Sequence, residues 1–175
     1  MKSLLILGYK DYELGIFNEN DPKLVIIKAF IRKKILQFLD EGVSWLIFTG
    51  NIGFEYWVYE IAREYQDEYD LQFAVIFPFR NHGENWSEGN KYKLSQYKQA
   101  DYVEYAYGSY ENPGQFRKYN EFLIQHTDAC LLFYDLEQET NLKYISKDLK
   151  EAQDYYLIQL DFTELDDFMQ DFYNN

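Results

Sequence analysis

Trp45-Leu46-Ile47-Phe48-Thr49-Gly50-Asn51-Ile52-Gly53 runs an apolar tetrapeptide straight into a Gly-x-x-Gly turn. A helix-period pattern follows over residues 52–68, with Ile52, Tyr56, Tyr59 and Arg63 among its successive turns. A short continuous apolar run of this kind is a strand buried on both faces, and the helix that follows completes a β-α unit. The same alternation recurs along the chain. Leu4-Leu5-Ile6-Leu7 ends at Gly8. Residues 22–41 then open with Pro22, which suits a first helical turn, carry Leu24, Ile27, Ile31, Ile35 and Phe38 at helical spacing, and stop at Gly42. Phe73-Ala74-Val75-Ile76-Phe77, closed by Pro78, reads as a third strand, Tyr102–Tyr105 as a fourth, Ala129–Tyr134 as a fifth and Tyr155–Leu160 as a sixth. Helix patterns fall at 88–99, around Phe116, Tyr119 and Leu123, at 143–153, and through Leu165, Phe168, Met169 and Phe172. Residues 80–86 and 108–114 are loops by composition. The sequence therefore predicts an α/β fold with a largely parallel sheet of about six strands. No repeat or composition break divides it, so residues 1–175 read as one domain.

The 175 residues are 47% apolar and 20% aromatic, including 18 Tyr and 14 Phe, which supplies a sizeable core and argues against a disordered chain. The formal net charge is −13. Such a surface repels phosphate backbones and anionic membranes, so nucleic acid is disfavoured as a partner. The charge is uneven: residues 131–175 carry 11 acidic and 3 basic side chains, a net of −8. That excess reads as a solubilising region or an acidic partner surface. Cys130 is the single cysteine, which excludes an intrachain disulfide and a Cys-rich zinc site. No apolar run approaches the ~20 residues of a membrane span. The N-terminus reads as a strand, too short for a signal-peptide core, and a cytoplasmic setting is the expectation.

Ligands of open parallel sheets bind outside the C-terminal strand ends, near a topological switch point. The residues there are Gly8-Tyr9-Lys10, Thr49 to Gly53, Pro78-Phe79-Arg80 and Asp135. Gly50 and Gly53 let a backbone approach a phosphate at a helix N-terminus, or simply make a tight turn. Glu55, in the first helical turn, is either favoured there by the helix dipole alone or faces the pocket to bind a ribose hydroxyl or act as a base. Arg80 and Arg117 are anion clamps or solvated surface residues. Trp86 and Tyr9 stack on a base or pack onto the core. P-loop, dinucleotide-fingerprint and nucleophile-elbow motifs are absent. His82 and His126 share no metal-ligand spacing, and Cys130 reads as plain core.

Several motifs together resemble the YpsA-like proteins of firmicute bacteria: Gly8-Tyr9-Lys10 with Tyr12-Glu13-Leu14-Gly15-Ile16-Phe17, Thr49 through Trp57, His82-Gly83-Glu84-Asn85-Trp86, Ala100-Asp101-Tyr102-Val103, Arg117 with Asn120, Phe122 and Leu123, His126-Thr127-Asp128-Ala129, and Tyr134-Asp135 with Glu137. The resemblance covers nearly the whole chain. It implies a Rossmann-like three-layer sandwich of the SLOG superfamily, alongside the DNA-processing protein DprA and the Lonely Guy phosphoribohydrolases. It further implies a nucleotide-derived, ADP-ribose-like ligand, a link to cell division through a protein partner, and a homodimer. No cofactor is required. The resemblance maps the glycine turn and acid of the pocket onto Gly50, Gly53 and Glu55; with the residues already singled out, the expected ligand-binding set is Gly8, Tyr9, Lys10, Thr49, Gly50, Asn51, Gly53, Glu55, Arg80, Trp86, Arg117 and Asp135. The alternative is a nucleotide N-glycosidase with Glu55 catalytic, although the Pro-Gly-Gly-x-Gly-Thr-x-x-Glu signature of the Lonely Guy enzymes is absent. A DprA-like DNA binder fits the charge poorly.

Overall fold

The apolar runs pair into one six-stranded sheet, all parallel, in the order β4-β3-β2-β1-β5-β6. The structure is a computed structural model and describes residues 1–174. The strands are β1 (Ser3–Gly8), β2 (Trp45–Phe48), β3 (Gln72–Phe79), β4 (Tyr102–Tyr107), β5 (Ala129–Phe133) and β6 (Tyr156–Leu160). The helices are α1 (Pro22–Asp40), α2 (Phe54–Arg63), the single turn α3 (Gln66–Tyr69), α4 (Glu88–Tyr97), α5 (Gly114–Gln125), α6 (Leu142–Glu151) and α7 (Phe162–Asn174). Continuous burial marks the inner strands β1 and β5, with every residue of Leu4–Gly8 and Ala129–Phe133 buried. The edge strand β4 instead alternates exposed and half-buried positions. One of its faces meets water, so its sequence needs only period two.

Parallel strands need right-handed crossovers, which fix the layers. The chain steps from β1 through β2 and β3 to β4 on one side, so α1, α2 and α4 share a face. Here α1 packs on α2 and α7, while Tyr59 of α2 donates to the Gln96 carbonyl of α4 at 2.8 Å. The long return through α5 to β5, then α6 to β6, covers the other face, where α5 meets α6. Three layers result. Direction reverses at β1, which has β2 on one side and β5 on the other. The switch point therefore lies between the C-terminal ends of β1 and β5.

Several expected boundaries move, most by a residue or two, and two of the shifts bear on the site. The segment 52–68 is not one helix: α2 begins at Phe54, because Gly53 holds φ +85°, and ends at Arg63 before α3. Pro78 does not close β3, which runs on to Phe79. The ladder with β4 pairs Phe77 with Tyr105 and Phe79 with Tyr107 and skips the proline, which has no N–H to give. At its start α1 is capped by Asp21, whose carboxylate accepts from the Lys23 amide at 2.9 Å, with Pro22 in the first turn as expected. No described helix is long and apolar enough to cross a membrane.

Candidate functional site

The loop after β2 turns its donors inward. Glu55 is only 2% exposed. One carboxylate oxygen accepts from the Thr49 amide at 2.7 Å and the other from the Thr49 hydroxyl at 2.5 Å, and the Gly50 and Asn51 amides lie close enough to favour its charged form. The loop carbonyls face other elements: His82 Nε2 lies 3.0 Å from the Gly50 oxygen, and the Tyr97 hydroxyl donates to the Asn51 oxygen at 2.6 Å. A concave run of amides around a carboxylate is an anion nest. The group that fills this nest is the protein's own carboxyl. The Thr49 amide and hydroxyl are thus occupied by Glu55, beside the Gly50 turn expected to approach a phosphate. Burial raises the Glu55 carboxyl to about 7, opposed by the donors of Thr49, Gly50 and Asn51.

The glycines serve packing between loops. A Cβ on Gly53 would stand 2.5 Å from the Tyr9 carbonyl oxygen and 2.6 Å from Lys10 Cα and the Asp11 nitrogen. The Phe54 amide donates to that same Tyr9 oxygen at 3.0 Å, which ties the loop after β2 to the loop after β1. Gly8 gives way to the Phe54 ring and Gly50 to the Phe77 ring.

Tyr9 and Asp135, expected among the ligand-binding residues, are both engaged by the fold. Tyr9 is wholly buried, its ring stacked on Phe162 at 5.8 Å and edge-on to Phe133 at 5.2 Å. Its hydroxyl accepts from the Asp135 amide at 2.8 Å and faces the carbonyls of Gln138 at 2.8 Å and Asp135 at 3.0 Å. It offers no face to a base. The Asp135 carboxylate accepts from the amides of Glu137 at 2.8 Å and Phe162 at 3.0 Å, which hold it below its ordinary range. It shapes the turn after β5 and the start of α7. Tyr9→Phe leaves the Asp135 amide and the Gln138 carbonyl without this partner. We expect a loss of about 2 kcal/mol, seen as a fall of roughly 4–8 °C in Tm. An unchanged Tm would mean that the phenol does not hold the two loops together.

What remains open at the C-terminal end of the sheet comes from three loops. Lys10 and Asn51 are half-buried, Trp86 is half-buried, and Tyr12 is 55% exposed. Lys10 Nζ lies 6.0 Å from the Tyr12 ring centroid. His82 joins the cluster by meeting Trp86 edge-on at 5.0 Å and Phe77 at 5.5 Å. Burial first, and the charges of Lys10 and Lys98 after it, push its pKa down despite the bond to Gly50. The neutral ring donates through Nε2 and leaves Nδ1 as an acceptor. His82 enters the sequence reading only as a candidate metal ligand, and Tyr12 is not singled out there for the site, although both lie in the motifs that carry the resemblance. Arg80 lies apart, exposed, with its guanidinium 5.1 Å from the Tyr105 ring on the edge strand. Arg117 is exposed in the first turn of α5, a helix on the opposite face of the sheet from α2. Among the described residues no group of three His, Cys, Asp or Glu side chains could hold a metal.

A family model described as the YspA SLOG family matches residues 4–165. A "UPF0398 protein" of Lactococcus lactis subsp. cremoris is 51% identical over 171 residues, covering 98% of each chain. A second "UPF0398 protein", from Streptococcus mutans serotype c, is 51% identical over 172 residues, covering 98% of this chain and 99% of its own. An X-ray structure of a structural-genomics target spans the whole of both chains at 11% identity and a TM-score of 0.46.

Proposed function

We propose, on the premise that this chain belongs to the YspA SLOG family, that it is a regulatory binding protein for a small anionic, nucleotide-derived ligand. The reading rests on one observation: Lys10, Asn51 and the paired His82 and Trp86 come from the neighbouring loops after β1, β2 and β3 at the C-terminal end of the sheet. Lys10 supplies the cation for a phosphate. Trp86 and the exposed Tyr12 supply faces for a base, and the Asn51 carboxamide and His82 Nδ1 supply polar contacts. An ADP-ribose-like molecule combines these groups. The output, including the division role that the resemblance implies, would lie in a protein partner that reads the bound state. The N-glycosidase alternative asks Glu55 to face a developing ribosyl cation. Its burial beneath the loop, with both oxygens engaged, favours binding over hydrolysis.

Incubation with nucleoside monophosphates, NAD and ADP-ribose tests both, with Tm and free base followed together. Ligand at 100 times its Kd should stabilise the fold by about 2.7 kcal/mol and release no base. Trp86→Ala and Lys10→Ala should each weaken that binding by roughly tenfold, the size of a lost stacking or charge contact. Base release that disappears in a folded Glu55→Gln protein would favour the hydrolase. No stabilisation by any of these molecules would overturn this loop cluster as a nucleotide site.

A further inference from the structure

The 45 most acidic residues of the chain, 131–175, hold three cations, and all three stand on α6: Lys143, Lys147 and Lys150. Their spacing of four and three places them on one side of the helix. They line a pocket of about 300 Å³ against the segment that leaves β5, together with Tyr134, Leu136, Ser146 and Glu151. None of these residues belongs to the Lys10, Asn51, His82 and Trp86 cluster. Lys143 is engaged by Glu139 at 3.3 Å. Among the described residues Lys147 and Lys150 form no ion pair.

Tyr134 gives the pocket its second mark. The side chain is fully buried, and its hydroxyl is the one buried side-chain polar atom among the described residues with no hydrogen-bond partner. A buried hydroxyl left unpaired costs about 1–3 kcal/mol, so each such group in a native fold asks for an explanation. Tyr134 is one of the residues around a mostly apolar pocket rimmed by ammonium groups, and its phenol, covered from solvent, lies within Coulomb range of Lys143. Ser146, also buried, adds a second hydroxyl. An apolar body with one anionic group matches that arrangement, and 300 Å³ is at the small end of ligand pockets.

We propose that this pocket is a second ligand site, which takes a small molecule bearing one carboxylate or phosphate on a compact apolar body, held by Lys147 and Lys150 with the Tyr134 hydroxyl as a donor. Glu151 on the rim selects against ligands with more negative charge at that end.

Amide NMR of the intact chain, titrated with phenyl phosphate, benzoate and inorganic phosphate, tests this. Saturable shifts at Tyr134, Ser146, Lys147 and Lys150 are expected with phenyl phosphate or benzoate, and weaker ones with inorganic phosphate, which lacks the apolar body. The stronger of the two aryl probes tells phosphate from carboxylate. Tyr134→Phe should weaken binding by roughly fivefold to tenfold, and the pair Lys147→Gln with Lys150→Gln by more than tenfold. Trp86→Ala should leave it unchanged, so failure here and failure of the loop cluster are separate results. Without ligand, Tyr134→Phe should melt at or above the parent temperature, because it removes an unpaired buried hydroxyl. A lower Tm in that variant would assign the hydroxyl to the fold and overturn the proposal. So would absence of saturable shifts at α6, or binding indifferent to the lysine changes.

Discussion

Gly53→Ala is expected to cost at least about 3 kcal/mol and to melt far below the parent, with or without ligand. Two costs add. The residue sits at φ +85°, ψ −132°, a backbone conformation that side chains rarely adopt. Its new Cβ would also press on Tyr9 O, Lys10 Cα and Asp11 N, which are backbone atoms with no rotamer to retreat into. Relief requires the loop after β1 to part from the start of α2, and with it goes the Phe54 to Tyr9 hydrogen bond. Gly89→Ala is the control: a Cβ there meets nothing within 4 Å, in the first turn of α4, and should be neutral or stabilise by up to about 1 kcal/mol. The comparison separates two meanings of the glycine turn. If Gly53 exists for ligand approach, the alanine protein keeps its Tm and loses only binding. If it exists to lock two loops, the Tm itself falls. Thermal melts of both variants, monitored by circular dichroism, decide between these, and a parental Tm for Gly53→Ala would remove the locking role.

The strands were readable because burial on both faces leaves a plain record in the chain. Leu4–Leu7 and Ala129–Phe133 could be little else. Strand order was not readable, since the placement of β5 beside β1 depends on a crossover through α5 that no local pattern encodes. Pro78 misled by a sound rule, because the ladder skips one residue near the sheet's edge. Within the candidate site, the sequence located the loops at the C-terminal end of the sheet but not which of their groups face outward. Whether a turn aims its amides at solvent or at a carboxylate six residues on is a matter of φ and ψ, which residue type constrains only at glycine. Tyr9 and Tyr12 show the same limit: two tyrosines three residues apart, one fully buried and one exposed, with identical chemistry on paper. His82 pairs with the Gly50 carbonyl, and a backbone partner 32 residues away leaves no sequence signature.

Glu55 supplies the other large effect, an inverted pH dependence. An ordinary carboxyl titrates near 4.5, and burial raises this one to about 7 in the folded chain. Below the lower value the group is protonated whether the chain is folded or not. Between the two, the unfolded chain is ionised while the folded chain keeps its proton, so folding binds a proton and stability falls as pH rises. The loss is about 1.4 kcal/mol per unit, about 3 kcal/mol across the window, and constant above it. Its titratable neighbours Tyr97, Tyr119 and Cys130 are pushed up by burial and stay neutral throughout. His82 works in the opposite sense. Its depressed pKa means that stability is lost as pH falls below the ordinary histidine value, within the same window. A single stability profile would therefore mix the two groups. The difference between parent and Glu55→Gln isolates the carboxyl, because His82 and the general acidic repulsion are common to both chains. Glutamine keeps an oxygen to accept from the Thr49 amide and carries no charge at any pH. From pH 4.5 to 8 the variant should gain about 3 kcal/mol on the parent, read from urea unfolding at each pH. Parallel curves across that range would show that Glu55 ionises as it does in water, and that the loop's donors fully compensate its burial.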